Sequence, residues 1–237
     1  VVIPPVPGSG SMLAAELELL GRSRRVIAID APGSGDSDAW PAIDPSSAAQ
    51  TIGEALDEMG IKQFDLFALH GGCAPAIELA AARAANVGRI VLESPAGGYP
   101  TTPAFLEQYA PPIVPRWSGS HLIELWHATR NRRLFRPWFD ERLAVRHTDF
   151  AAIEPDTINR EVLAYLESWR TYHAAWAAVL SYPIAEAVAR LGAKVSVASR
   201  SGDEFAPFAE RLGQSIEWLP DAVTPRTQRI LACLARN

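Results

Sequence analysis

Short apolar runs alternate with helical patterns along most of this sequence, and the alternation restricts the fold more than any other feature. Each run carries β-branched or aromatic residues, which strands favour. The runs that predict strands are residues 1–3, 25–29, 64–69, 89–92, 194–198 and 215–219. The patterns that predict helices are residues 12–20, 46–59, 75–85, 206–212 and 227–235. This order predicts an α/β fold with a mostly parallel central sheet and helices on both faces.

One long segment interrupts the alternation. Between residues 100 and 181 the sequence has helical patterns dense in tryptophan, arginine and histidine, and no run that predicts a strand. A helical insertion after the fourth predicted strand explains this change. We therefore expect residues 1–99 and 182–237 to form the core domain and residues 100–181 to form a helical cap.

The charge and composition of the chain exclude several classes of partner. A formal net charge of -5 gives no long-range attraction to a phosphate backbone. The basic run Arg130, Arg132, Arg133 and Arg136 favours a solvated helix face over a nucleic-acid site. No apolar run approaches the roughly 20 residues of a membrane span, and the first residues lack the basic character of a signal peptide. We expect a cytoplasmic protein that binds neither nucleic acid nor membrane.

The cysteines give no sign of a metal site. Cys73 and Cys233 lie in apolar surroundings, and neither belongs to a Cys-x-x-Cys or Cys/His spacing. Buried free thiols are the expected state. The sequence has no phosphate-binding loop either, so we expect neither a metal nor a cofactor.

Three glycine-rich stretches follow predicted strands. Residues 4–11 read PPVPGSGS and residues 30–38 read DAPGSGDSD. Residues 67–80 read FALHGGCAPAIELA, in which Gly71 and Gly72 come directly after His70. Glycines permit the backbone angles of a sharp turn from a strand into a helix, and His70 stands at the start of such a turn. His70 is therefore the leading candidate for a functional group.

In this order, the stretches resemble the motifs of the α/β-hydrolase superfamily. In that family H-G-x-P-G-S forms an oxyanion loop, D-x-P-G-x-G-x-S follows a strand, and G-x-S-x-G-G-x-x-A forms the nucleophile elbow. The resemblance places His70 where the hydrolases carry serine, cysteine or aspartate. It implies Val6 N-H and Gly71 N-H as oxyanion-hole donors, with Pro4 and Pro5 replacing the usual His-Gly. For this first stretch, a plain strand-to-helix turn explains the residues equally well.

The acid of the family's catalytic triad has a counterpart here, but the base does not. Residues 199–207 resemble the G-x-x-D-x-x-x-P loop that bears the acid, which implies Asp203; an N-cap for the following helix is the alternative role. The base should follow the last strand, yet no histidine occurs after His173. A Ser-His-Asp mechanism needs a nucleophile and a base that takes its proton. Ordinary serine-hydrolase chemistry is therefore not expected.

Two other interpretations of residues 67–80 stay open. His-Gly-Gly also occurs in oxyanion loops, but those precede the first helix of the sheet, whereas this stretch follows at least two predicted strands. In the second interpretation, Cys73 is a nucleophile at the start of the helix. If His70 occupies the elbow position, however, the Cys73 side chain packs against the sheet.

Aromatic residues in the predicted cap fit either a simple core or the wall of an apolar pocket. Trp117 and Trp126 are the candidates for substrate contacts. His121 follows a Gly-Ser turn and is the candidate for a second polar group facing His70. A structural role is the alternative for all three residues.

Two functions fit these residues. The first is an α/β-hydrolase-like enzyme in which His70 is a general acid-base acting on a small, largely apolar substrate, because imidazole titrates near neutral pH. The second is a catalytically silent fold that binds a small molecule or interacts with another protein, as the loss of two triad positions suggests. The expected partner is a small-molecule substrate or ligand, and the sequence leaves a homodimer open.

Overall fold

A five-stranded parallel sheet lies at the centre of the computed structural model, which describes residues 1–38, 44–140, 145–146, 153–212 and 215–236. Five of the six predicted strands are confirmed as members of this sheet. They are β1 (Val2–Ile3), β2 (Phe64–Leu69), β3 (Val87–Glu93), β6 (Val195–Ser199) and β7 (Ile216–Trp218), in the spatial order β1-β2-β3-β6-β7. The two remaining strands lie outside it: β4 (Phe135–Arg136) and β5 (Val145–Arg146).

One strand prediction is wrong: residues 25–29, the second predicted strand along the chain, do not form an extended strand. Its segment makes a single parallel bridge, between Val2 and Ala28. Val2 donates to the Ile27 carbonyl, and Ile29 donates to the Val2 carbonyl. The physical reason is that β1 is only two residues long, so it offers this segment a single pairing position.

Ten described helices surround the strands. They are α1 (Ala14–Gly21), α2 (Pro45–Glu58), α3 (Cys73–Ala82), α4 (Pro103–Tyr109), α5 (Ser120–Leu134), α6 (Pro155–Glu167), α7 (Tyr172–Ser181), α8 (Ile184–Leu191), α9 (Ala206–Glu210) and α10 (Val223–Leu234). The five predicted helices correspond to α1, α2, α3, α9 and α10, with ends that differ by up to four residues. Among the described helices, none has the length and apolar character of a membrane span.

The helices cover both faces of the sheet, because side chains of a strand alternate between faces. In β2, Leu66 and Ala68 join the core under α2, α3 and α8, whereas Phe67 and Leu69 join the core under α1 and α10. All four side chains are buried. This arrangement confirms the predicted fold class.

The chain between β3 and α8 contains α4, α5, α6 and α7. Its short strands β4 and β5 pair with each other in an antiparallel register, although no strand is predicted there. Aromatic and apolar side chains of the four helices form a third core, which also includes Val6, Ala74 and Phe205 from the loops and helix around the sheet. This third core places the segment against the turns that carry His70 and Asp203.

Candidate active site

The turn from β2 into α3, residues 69–73, positions His70; we call it the elbow. His70 has a backbone φ of 50°, a left-handed conformation that residues other than glycine rarely adopt. A Cβ atom on Gly71 would lie 1.9 Å from the Val6 carbonyl oxygen, and one on Gly72 would lie 2.1 Å from that of Pro4. The two glycines are therefore required for the start of the helix to pack on the loop after β1.

His70 and Asp203 are in direct contact, although they are far apart in the sequence. His70 Nε2 lies 2.9 Å from Asp203 Oδ2. Asp203 also accepts hydrogen bonds from Arg200 Nη2 at 2.9 Å and from the Phe205 N-H at 3.0 Å. The carboxylate is almost completely buried, and the imidazole keeps 22% of its surface exposed. Asp203 thus fixes one ring nitrogen, and the other side of the ring remains accessible.

The pair is electrostatically coupled. Burial disfavours the charged imidazole, but the neighbouring Asp203 carboxylate outweighs this effect and raises the pKa of His70 above its ordinary value. Burial alone would raise the pKa of Asp203, but His70 and Arg200 hold it well below the usual range. Each partner therefore favours the charged form of the other.

Further ionisable groups surround this pair. Arg200 Nε lies 3.2 Å from Glu93 Oε1 at the end of β3, and burial raises the pKa of Glu93. Burial also raises the pKa of Glu204 to about 7 against the opposing charge of Arg132. Tyr109 donates a hydrogen bond to Glu204 Oε2 at 3.1 Å. Sequence reasoning missed these groups, because every one of these contacts joins residues on different elements.

Aromatic rings adjoin the imidazole on the side of the helical segment. The Phe205 ring is fully buried and meets the His70 ring edge-on, with 5.3 Å between centroids. Tyr99 and Trp176 continue this wall at 6.1 and 6.3 Å from Phe205. The site therefore combines one polar edge with a largely aromatic surface.

The buried Arg132 lies at the back of this aromatic surface. Its guanidinium lies 5.1 to 6.0 Å from the ring centroids of five aromatic residues, namely Tyr109, Trp138, Tyr165, Tyr172 and Trp176. It donates to the Tyr109 carbonyl oxygen at 2.7 Å. Cations over aromatic faces are stabilised when water is excluded, so this residue is not part of a solvated helix face.

The candidates for oxyanion donors are Val6 and Gly71. They are neighbours in the structure, since a Cβ atom on Gly71 would lie 1.9 Å from the Val6 carbonyl oxygen. Val6 is buried, and its N-H donates no hydrogen bond within the described residues. Cys73 is completely buried, and its Sγ lies 3.5 Å from the Ala68 carbonyl oxygen. The thiol thus packs against the sheet, away from the exposed side of His70.

The candidates from residues 100–181 do not converge on His70. The Trp117 side chain is fully exposed. His121 lies in the first turn of α5, where its Nδ1 accepts a hydrogen bond from the Arg116 N-H at 3.1 Å. Trp126 is half-buried and packs against the third core. Within the described residues, none of the three is in contact with His70.

A cavity of about 440 Å³ lies at the amino edge of the sheet, where Val1, Arg24 and Phe64 contribute to its lining. His70 follows the carboxyl end of β2 and does not line this cavity. Its position on the floor of a substrate pocket stays a prediction. Among the described residues, no group of three or more His, Cys, Asp and Glu side chains is arranged to hold a metal ion.

Comparison with known proteins identifies the fold. No protein-family model and no curated protein matches the chain. The chain is similar to the structure of a hydrolase from Pseudomonas aeruginosa, with a TM-score of 0.71 and 18% identity over 99% of this chain and 89% of that one. The chain has the α/β-hydrolase fold. The enol-lactonase from Burkholderia xenovorans has a TM-score of 0.71 and 16% identity, over 99% of this chain and 90% of that one.

A third structure with the α/β-hydrolase fold, an esterase from Thermogutta terrifontis, has a TM-score of 0.67 and 18% identity over 99% of this chain and 86% of that one. At such identities the likeness extends to the fold alone. The chemistry of this α/β-hydrolase-fold chain has to be inferred from its own residues.

Proposed function

We propose that this chain is an enzyme in which His70 is the general acid-base for a small, largely apolar substrate held beneath a cap formed by residues 100–181. The observation that carries the proposal is the 2.9 Å contact between His70 Nε2 and Asp203 Oδ2, with the imidazole still 22% exposed. A base needs both an orienting partner and access to the substrate, and His70 has both.

The second ring nitrogen supports the same role. Nδ1 of His70 has no hydrogen-bond partner among the described residues. With Nε2-H directed at Asp203, Nδ1 accepts a proton in the neutral ring and donates one in the imidazolium. Val6 N-H and Gly71 N-H are the donors proposed for a developing oxyanion.

Covalent serine-type hydrolysis is not part of the proposal. The elbow side chain is itself the imidazole, and residues 219–237 contain no histidine that would activate another nucleophile. Proton transfer to or from a carbonyl compound needs no such nucleophile. Reactions of this kind include exchange of a proton at the carbon next to a carbonyl group.

The test compares the wild-type chain with His70→Asn. Asparagine tolerates the positive φ of this position and keeps an N-H donor for Asp203, but it does not exchange protons near neutral pH. The first substrates are enol lactones and 1,3-diketones, because the structural neighbours include an enol-lactonase and a meta-cleavage product hydrolase. Turnover and deuterium incorporation from D2O are followed by NMR, with His121→Asn as the control.

We expect a loss of about 10²- to 10⁴-fold in His70→Asn and wild-type rates in His121→Asn. Turnover that survives His70→Asn contradicts the proposal. So does a folded wild-type chain that binds members of the panel and transforms none of them, which is the outcome expected of a silent binder.

A further inference from the structure

We propose that the substrate of this site carries a carboxylate and that Arg136 binds it. The inference rests on the proposed function and names the substrate class. Arg136 lies in β4, outside the sheet that carries His70, and sequence reasoning assigned its basic run to a solvated face.

Arg136 is attached to the loop that orients the imidazole. Its Nη2 donates a hydrogen bond to the backbone carbonyl oxygen of Asp203. The side chain of the same Asp203 contacts His70 Nε2 at 2.9 Å. The guanidinium is therefore bonded directly to the backbone of Asp203, one member of the acid-base pair.

The remaining donors of Arg136 lack an acidic partner. Within the described residues, no carboxylate lies at ion-pair distance from this half-buried guanidinium. Its Nε is buried and has no hydrogen-bond acceptor there. Arginine presents a planar fork that pairs with two carboxylate oxygens at once, so a ligand carboxylate satisfies the donors that the described chain leaves without an acceptor.

The charge balance of the site also favours an anion. Its basic side chains are His70, Arg132, Arg136 and Arg200, and its carboxyl groups are Glu93, Asp203 and Glu204. Burial raises the pKa of Glu93 and of Glu204, so these two carboxyls are the ones that most readily become neutral. Even when all seven groups are charged, the site holds four positive and three negative charges, so a bound carboxylate balances the excess.

An apolar surface joins Arg136 to His70. Burial raises the pKa of Tyr99, and the charge of Arg136 opposes part of this increase, so the guanidinium acts on the phenol electrostatically. The Tyr99 ring lies 6.1 Å from Phe205, which lies 5.3 Å from the His70 ring. A ligand with its carboxylate on Arg136 can rest its carbon skeleton on Tyr99 and Phe205 and present its reacting group to His70.

The experiment measures binding, so it does not depend on finding the reaction. The probes are phenylacetate and 3-phenylpropanoate, each compared with its neutral amide, titrated by calorimetry at neutral pH. The variants are Arg136→Gln and Arg136→Lys, with Arg130→Gln as the matched control. Arg130 bonds only to the neighbouring Asn131 among the described residues, and its replacement changes the net charge equally.

We expect the wild-type chain to bind at least one acid about 10- to 100-fold more tightly than its amide, which is the effect of one charge-assisted pair. Arg136→Gln should remove this preference, Arg136→Lys should keep part of it, and Arg130→Gln should keep all of it. His70→Asn should keep the part of the preference that depends on Arg136, so that loss of turnover and loss of carboxylate binding are separate results.

Three outcomes overturn the proposal. The first is a wild-type chain that prefers neither acid over its amide. The second is an equal loss of preference in Arg130→Gln and Arg136→Gln, which would reflect net charge alone. The third is a folded Arg136→Gln that keeps the full preference, which would leave Arg136 as a structural anchor of the Asp203 loop. If Arg136→Gln does not fold, Arg136→Lys replaces it as the test. A lysine variant that keeps the full preference for the acid would show that no bidentate arginine–carboxylate pair forms, and this result also overturns the proposal.

Discussion

Asp203→Asn tests the electrostatics of the site most directly. The change keeps the size of the side chain and removes a charge that contacts His70 at 2.9 Å and Arg200 at 2.9 Å. Removing one partner of a buried ion pair costs about 3–5 kcal/mol, because the other charge is left without compensation. We expect a loss of that size in the free energy of unfolding at about pH 5.5, where the imidazole is protonated.

The cost should decrease with rising pH. The pKa of His70 is raised in the folded chain, so its contribution to stability is complete below its ordinary value of 6.5 and is lost as the pH rises through the folded value. The pKa of Asp203 is lowered, so its contribution is lost only in acid, as the pH falls through its folded value. At a pH above the folded pKa of His70, which the titration of its ring gives, the positive charge of the imidazole no longer contributes, and the hydrogen bonds that Asp203 accepts from His70, Arg200 and Phe205 remain.

Urea unfolding at both pH values measures these costs, and an NMR titration of the His70 ring measures its pKa. In Asp203→Asn that pKa should fall below the wild-type value, because burial then acts without the carboxylate. The exposed Asp221 gives a control, since Asp221→Asn should change stability by less than about 0.5 kcal/mol. An unchanged His70 titration, or equal costs at both pH values, refutes the coupling.

Three further predictions concern activity and packing. Turnover of p-nitrophenyl acetate by the wild-type chain should stay at background in a spectrophotometric assay; activity that persists without the elbow imidazole contradicts this. Gly71→Ala should cost about 1–3 kcal/mol or more in urea unfolding, because its Cβ would overlap a backbone carbonyl oxygen 1.9 Å away. Gly21→Ala has open space around its Cβ and should be neutral. Glu16→Gln should cost about 3–5 kcal/mol by removing the buried partner of Arg226, and a cost no larger than that of the exposed Glu18→Gln would show that the pair is unimportant.

Much of the fold could be predicted because it depends on local signals. Short apolar runs with β-branched or aromatic residues predict the strands, and the glycines after His70 predict the elbow, whose positive φ the structure contains. The helix α8 is absent from the predictions, although its buried Ile184, Ala187 and Val188 have helical spacing. Its pattern lies directly against the end of α7, where two adjoining helices are difficult to separate by periodicity.

Residues of the candidate site could be predicted only where they occupy positions of a sequence motif. His70 and Asp203 occupy motif positions, and the structure brings them together. Glu204 and Arg132 gain their importance from burial and from partners on other elements, which no local pattern encodes. Trp117 and His121 were selected by residue type, but periodicity alone does not say which side of a helix or loop faces a site.

The direct contact between His70 and Asp203 also has an evolutionary consequence. In this chain a single imidazole, that of His70, connects the elbow to Asp203. A Ser-His-Asp triad makes the same connection with a serine and a separate histidine. A serine at position 70 would supply an alcohol but lose the side chain that connects the elbow to Asp203. A histidine gained after β7 would meet an elbow already filled by a ring. Neither single substitution produces a complete triad, so this chain and a serine hydrolase are separated by at least two coupled changes, with an inactive intermediate between them.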